Sequence, residues 1–155
     1  MKSVRVADLP SAVSAADVFR PLTEPLGVTD FAINYYELGP GDSFGFCYHR
    51  HHTQEEVFYV QAGTATFETA DGDVEVTAGE AVRFPPMEFQ RGTNRGEERV
   101  VALALSAPRG PETVDLLRTC PTCGERTPQD VAWNDESSAI VATCEACGSE
   151  TGRFE

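Results

Sequence analysis

The sequence predicts an all-β fold, a sandwich or a barrel, followed by a small second unit built on metal-bound cysteines. Three observations carry this. Between residues 31 and 107, short segments of alternating apolar and polar residues follow one another closely. The stretches between them have turn chemistry, as in Gly39-Pro40-Gly41-Asp42 and Asn94-Arg95-Gly96. Helical periodicity is almost absent.

Residues 1–30 are interrupted by Pro10, Pro21 and Pro25, and Ser14 to Phe19 offers at most a short helical turn, so this segment reads as an arm laid over a core. Phe31 to Leu38 alternates and forms the first strand; Phe44 to His51 is the second and Glu56 to Gln61 the third. Thr64 to Thr69 and Val74 to Thr77 are joined through Asp71-Gly72, a strong hairpin signal. Gly79 opens Ala81 to Phe84, which Pro85-Pro86 ends, and Phe89 to Thr93 extends after it. Arg99 to Leu105 is nearly all apolar and is expected to be buried on both faces. Residues 108–114, with Pro108, Gly110 and Pro111, read as a linker, and 115–155 as a separate unit.

The net charge is −13, with Lys2 the single lysine. Phosphate backbones and anionic membrane surfaces would repel such a chain, so neither nucleic acid nor membrane is an expected partner. No apolar run approaches the length of a membrane span, and residues 1–8 lack a signal-like apolar segment, so a cytoplasmic location is expected.

The three histidines fall together in His49-Arg50-His51-His52, just ahead of Glu55-Glu56 and the apolar Val57-Phe58-Tyr59-Val60. On a strand His49 and His51 share one face, and Glu56, Phe58 and Val60 share a face of the next. Two imidazoles and a carboxylate suit zinc, iron, nickel, copper or manganese. A histidine-rich strand end can equally be a solvated edge. Against that, a carboxylate aimed into a core is costly unless paired or metal-bound. Cys47 shares the histidine face if the strand is regular, where a lone cysteine is more often a small core residue than a polar participant.

Cys120-Pro121-Thr122-Cys123-Gly124 and Cys144-Glu145-Ala146-Cys147-Gly148 make a pair of Cys-x-x-Cys knuckles. Four thiolates suit tetrahedral Zn²⁺, and their closed shell marks a structural rather than a catalytic site. Disulfides are the competing reading, disfavoured where thiols stay reduced. Thr127 to Trp133 and Ile140 to Thr143 can pair as a hairpin across Asn134 to Ser138, with Trp133 as the core of the unit; the arrangement resembles a zinc ribbon. The unit is too small and polar to bury much surface, so metal binding supplies much of its folding energy. It is itself acidic, which disfavours nucleic acid and leaves a protein contact or a structural cap as its role.

The histidine segment resembles the first motif of the cupin family: His49-x-His51, four residues, Glu56, six residues, Gly63. The second cupin motif is matched by Gly79, Pro85 and Asn94 at the right intervals. The resemblance covers about residues 31–105 and implies a double-stranded β-helix, or jelly roll. It also implies that His49, His51, Glu56 and a second-motif histidine are metal ligands. The departures bear on function: Ser43 stands for the opening glycine of the first motif, Met87 for a glycine of the second, and Gln90 for its histidine. The barrel therefore has either a weaker three-plus-one site, with the Gln90 carbonyl as the poor fourth ligand, or an empty pocket. Counting back from Glu56 with the shorter spacing selects His52, but its partner would then be Arg50, which cannot ligate.

Two functions follow. One is a small-molecule-binding barrel with a pocket drawn from Phe44, Phe46, Phe58, Phe67, Phe84 and Phe89, a possible divalent metal in it, and the ribbon relaying occupancy to a protein partner. The other is a metal-dependent enzyme of oxygenase, isomerase or lyase type, with Glu55, Tyr35, Tyr48 and Arg83 as candidate groups near the mouth. Cupin barrels commonly pair, and the Phe31 to Leu38 strand is a candidate edge for a homodimer. The acidic surface also reads as an adaptation to high salt, because mobile ions screen self-repulsion. The melting temperature should rise steeply from dilute to molar KCl; a melting temperature indifferent to salt removes this reading.

Overall fold

The computed structural model describes every residue except Ser137. Its strands are β1 (Val18–Pro21), β2 (Ala32–Leu38), β3 (Tyr48–His51), β4 (Glu55–Ala62), β5 (Thr64–Thr69), β6 (Gly72–Thr77), β7 (Ala81–Phe84), β8 (Gln90–Thr93), β9 (Val100–Ala107), β10 (Val114–Cys120), β11 (Glu125–Trp133), β12 (Ile140–Cys144) and β13 (Glu150–Phe154). They form two antiparallel sheets, ordered β1-β2-β9-β4-β7 and β13-β12-β11-β10-β3-β8-β5-β6. No helix among the described residues is long and apolar enough to cross a membrane.

Alternation dictates the core. Leu38, Phe58, Val60, Val100 and Ala102 face inward from the first sheet and meet Phe44, Ala65, Phe67 and Val76. Phe44 stacks on Phe67 with centroids 5.7 Å apart, and Phe58 lies 5.0 Å from Phe67, which is fully buried. Each such ring contributes about 1.5–3 kcal/mol of burial. On β9 the alternation holds to the end: Val100, Ala102 and Ala104 are buried, while Val101, Leu103 and Leu105 are only half-buried on the outer face. The expectation of burial on both faces is thus corrected, because among the described residues no second layer covers the outside of this sheet.

The arm is more ordered than its prolines suggest. Ser14 to Asp17 form bends rather than a helical turn; β1 follows, and a short helix at Thr23–Leu26 contains Pro25 and ends at Gly27. β1 pairs with β2 from Val18↔Glu37 to Pro21↔Asn34, and Phe19 stacks on Tyr36 at 4.9 Å. Because β9 holds the other side of β2, the Phe31 to Leu38 segment offers no free edge for a second copy.

The second strand is shorter than expected. After an isolated bridge from Ser43 to Thr93, Phe44 to Cys47 bend, and the strand itself begins at Tyr48. Gly45 sits between an inward Phe44 and an outward Phe46, and the Ser43 hydroxyl donates to the Gly45 carbonyl at 2.8 Å, holding the bend. The change of direction sends Phe46 out to Phe154, 4.6 Å away on β13.

The four-cysteine unit continues the barrel sheet. β10 pairs with β3, from Val114↔His51 to Leu117↔Tyr48, and then with β11, from Leu117↔Pro128 to Cys120↔Glu125. The residues read as a linker are held as well: Arg109 N–H donates to the Asp30 carbonyl, and Glu112 accepts the His52 and Thr53 amides at 2.7 and 2.9 Å. β11 and β12 pair as the expected hairpin. In its turn Asn134 accepts the Ser138 amide, while Ser137 lies outside the described residues. Trp133 is 53% exposed and is not the core of this unit. The interior is built instead from Thr127, Gln129, Ala139 and Ala142 with Cys120 and Cys144; Trp133 shares the phase of Thr127 and Gln129 but stands at the end of β11, beyond the buried cluster.

Two motif positions explain themselves here. Gly63 has φ +75°, and a Cβ there would lie 2.5 Å from the Arg99 carbonyl oxygen, so only glycine fits. Met87 occupies a glycine position of the second motif and keeps the left-handed conformation, φ 69°, while its amide donates to the His51 carbonyl at 2.7 Å. That conformation costs a side-chain-bearing residue about 1–2 kcal/mol. Met87→Gly should therefore stabilise the fold by about 1 kcal/mol after the added unfolded-state entropy is subtracted. Thermal denaturation should show a midpoint higher by about 2–4 °C.

Candidate metal centres

The barrel site is assembled by register. His49 and His51 lie two apart on β3 and share its inward face, and His49 is the Cα partner of Gln90 on β8. Glu56 stands on β4 opposite Phe84 and Ser106. The Glu56 Oε2 is 3.4 Å from His49 Nε2 and 3.5 Å from His51 Nε2, with the imidazoles nearly perpendicular at 84°. These separations are long for hydrogen bonds. They match the edge of a tetrahedron with bonds of about 2.1 Å, about 3.4 Å. One ligand atom from each of the three residues lies within 4.8 Å of the others.

His49 Nδ1 sits 3.1 Å from the Cys47 carbonyl oxygen, a contact that orients the ring with Nε2 toward Glu56. Burial pushes the Glu56 carboxyl up, but hydrogen bonds and charge from His49 and His51 outweigh it and bring it down to about 2. Burial lowers His51, and Glu56 more than reverses it, so His51 is raised. Gln90 is 2% exposed; its Nε2 donates to Glu56 Oε2 at 2.8 Å and lies 3.2 Å from His49 Nε2, while its Oε1 is buried with no partner, as is His51 Nδ1. The amide N–H group thus stands beside Glu56 and His49, where positive charge is favoured.

His49 and Glu56 border a cavity of about 150 Å³ that Asn34, Tyr36, Phe44 and Ser106 also line. Burial and then Glu56 raise the Tyr36 phenol, which remains a proton donor. Asn34, Tyr36 and Ser106 were not singled out in the sequence. The available signals were the phase of β2 and the one hydroxyl that breaks the apolar run of β9.

The other candidates are placed elsewhere. Arg50 and His52 both bind Asp115, at 2.7 and 3.0 Å, away from the barrel centre. Glu55 pairs with Arg83, and Tyr35 donates to Glu37, on the outer face of the first sheet. Tyr48 stacks on Phe89 under Arg126. Of the phenylalanines, Phe44 and Phe58 line the cavity, Phe67 and Phe84 fill the core behind it, and Phe46 and Phe89 lie outside. Cys47 is buried, but beside Arg91 and Arg118 rather than in the cavity, since the bend at Gly45 breaks the alternation; burial raises its thiol and the two arginines oppose this.

The second centre is formed by Cys120, Cys123, Cys144 and Cys147. Cys120 Sγ is 3.6 Å from Cys147 Sγ, and Cys123 Sγ is 3.9 Å from Cys144 Sγ. No disulfide is present among the described residues, and the spacings bracket the edge of about 3.8 Å of a tetrahedron with 2.3 Å metal–sulfur bonds. The Thr127 hydroxyl, then the amides of Cys147 and Ala146, pull Cys144 down to about 6 against its desolvation. Cys147, then Cys120, push Cys123 up to about 12. Four crowded sulfurs with opposed tendencies suit a shared cation.

The comparisons agree with this construction. A family model described as a cupin domain matches residues 34–106. No curated protein matches the chain. Among solved structures, a sugar phosphate isomerase from a cupin superfamily of Silicibacter pomeroyi is 19% identical, with TM-score 0.66 over 99% of this chain and 91% of that one. A putative sugar phosphate isomerase of Acidithiobacillus ferrooxidans is 17% identical, with TM-score 0.65 over 100% of this chain and 90% of that one. The polyketide cyclase RemF of Streptomyces resistomycificus is 25% identical, with TM-score 0.58 over 72% of this chain and 83% of that one. The first two alignments run through the four-cysteine unit as well as the barrel, whereas the third covers a share closer to the barrel alone. With the motif positions, the sheet order and the matched segment in agreement, residues 34–106 form a cupin domain, to which a four-cysteine unit is joined.

Proposed function

We propose that the barrel binds a small molecule at a divalent metal held by His49 Nε2, His51 Nε2 and Glu56, with Gln90 as a weak fourth ligand, and that the ribbon holds a structural zinc. The observation that carries the barrel reading is the convergence of three ligand atoms at coordination-edge spacing beside a cavity. Gln90 presents its N–H to Glu56, and a half-turn of the amide would bring its unpartnered oxygen to the metal as the fourth donor. A cavity of this size accommodates a benzene-sized group or a few polar atoms. That solved structures described as a sugar phosphate isomerase, a putative sugar phosphate isomerase and a polyketide cyclase share the fold supports a small organic ligand.

A metal-dependent enzyme of isomerase, oxygenase or lyase type is the second reading, favoured by the polar Tyr36, Asn34 and Ser106 facing the same cavity as the ligands. A bound cation would supply Lewis-acid polarisation of a substrate oxygen. Tyr36 would then hold a proton next to Glu56, and Asn34 and Ser106 would orient the substrate. The ribbon remains a proposed contact for a protein partner, with Trp133 exposed on its surface.

Elemental analysis of the purified chain should give about two metals, one lost in the His49→Ala, His51→Ala variant and the other in Cys120→Ser. A single zinc indifferent to the histidine changes would show that the barrel holds none. Gln90→His should tighten the barrel metal by about tenfold or more, measured by competition with a chelator. Removing the ribbon metal with a strong chelator should abolish amide protection over residues 125–154 while β4 and β9 stay protected in hydrogen exchange; protection unchanged throughout would show that the ribbon folds without metal.

A further inference from the structure

Between ribbon and barrel lies a second, larger cleft of about 530 Å³, whose walls carry Arg91 of β8, Arg118 of β10 and Arg153 of β13 on one side and Asp17 and Asp42 on the other. In a chain with net charge −13, this clustering of guanidinium groups stands out. The acids opposite are already engaged: Asp17 accepts from Arg99 at 2.7 Å, and Asp42 Oδ2 accepts the amides of Asp17 and Gly39 at 3.0 and 2.8 Å. Arg153 is held by Glu150. Arg118 donates from Nε to the Thr151 carbonyl and from Nη1 to the Phe46 carbonyl, so its orientation is fixed while its charge meets no carboxylate. Arg91 is the exceptional group. Its Nε is buried without a hydrogen-bond partner, and Glu68, opposite it on β5, is taken by Arg126 at 2.8 Å. Desolvation first, then the charge of Arg118, depress the Arg91 guanidinium. An unpaired half-buried cation beside another cation is a costly arrangement that a bound dianion would relieve.

We propose that this cleft is an anion site that takes a phosphate group, with the Arg91 fork and Arg118 as its cationic contacts. It lies outside the barrel cavity and does not rest on the metal reading: the Ser43 to Cys47 bend runs between the two, with Ser43 in the cleft wall and Phe44 and Gly45 in the cavity wall. Calorimetric titration of the zinc-loaded full chain with inorganic phosphate, at ionic strength matched with chloride, should show one site. Glycerol 3-phosphate binding tighter than inorganic phosphate would identify an ester as the source, and equal binding the free ion. Arg91→Met should weaken phosphate at least about tenfold, with zinc content unchanged, and Arg91→Lys should restore part of the loss. Arg109→Met, removing a cation paired with Glu24 that lines no part of the cleft, should leave binding unchanged. The site should also survive in the His49→Ala, His51→Ala variant. Binding that is no stronger than that of chloride, that persists in Arg91→Met, or that disappears with the barrel histidines would overturn the proposal.

Discussion

β3 carries four residues, and both candidate metal centres depend on the backbone ladder it shares with its neighbours. On one side it meets β8, where a single Cα pairing sets His49 beside Gln90. On the other it meets β10, which leaves the barrel and ends in Cys120. A one-residue slip of this strand would turn His49 and His51 out and bring Arg50 in. The register is held from several directions: Glu112 binds the His52 and Thr53 amides, Asp115 takes Arg50 and His52, and the Met87 amide binds the His51 carbonyl. The outward-facing charges on β3 therefore lock the phase that sends the two imidazoles inward.

The same geometry makes the ribbon part of the fold. Its first strand is a continuation of the barrel sheet, Phe154 packs on Phe46, and Arg118 binds the Phe46 carbonyl. The metal that closes the four thiolates would stiffen β10 beyond its pairing with β3. Coordination of the ribbon and order in the bend next to the barrel site are thereby mechanically connected. The arginine cleft forms where these two units meet, a place neither would create alone.

The strand content and the two ligand groups were legible because each rests on local pattern: alternation, Asp-Gly, two Cys-x-x-Cys knuckles, and His-x-His followed by Glu. The failures have local causes too. The bend at Gly45 breaks the alternation that would have carried Cys47 inward with His49 and His51. Trp133, the one tryptophan, shares the inward phase of Thr127 and Gln129 but stands exposed at the end of β11. Pro108 and Gly110 resemble a free linker, yet side chains and amides far away in sequence hold that segment to the barrel. Glu55, Tyr35 and Arg83 look reactive by type but pair among neighbours on the outer sheet face.

From residue order follow the all-β class, the turns, the acidic composition, the four-cysteine cluster and the grouping of His49, His51 and Glu56, since these depend on periodicity two and on spacings within a few residues. Folding in three dimensions settles which polar groups share a chamber. Tyr36, Asn34 and Ser106 join His49 and Glu56, and Arg91 joins Arg118 and Arg153, across separations of tens of residues. Such meetings are created by strand order and register, to which a side chain's own chemistry contributes little.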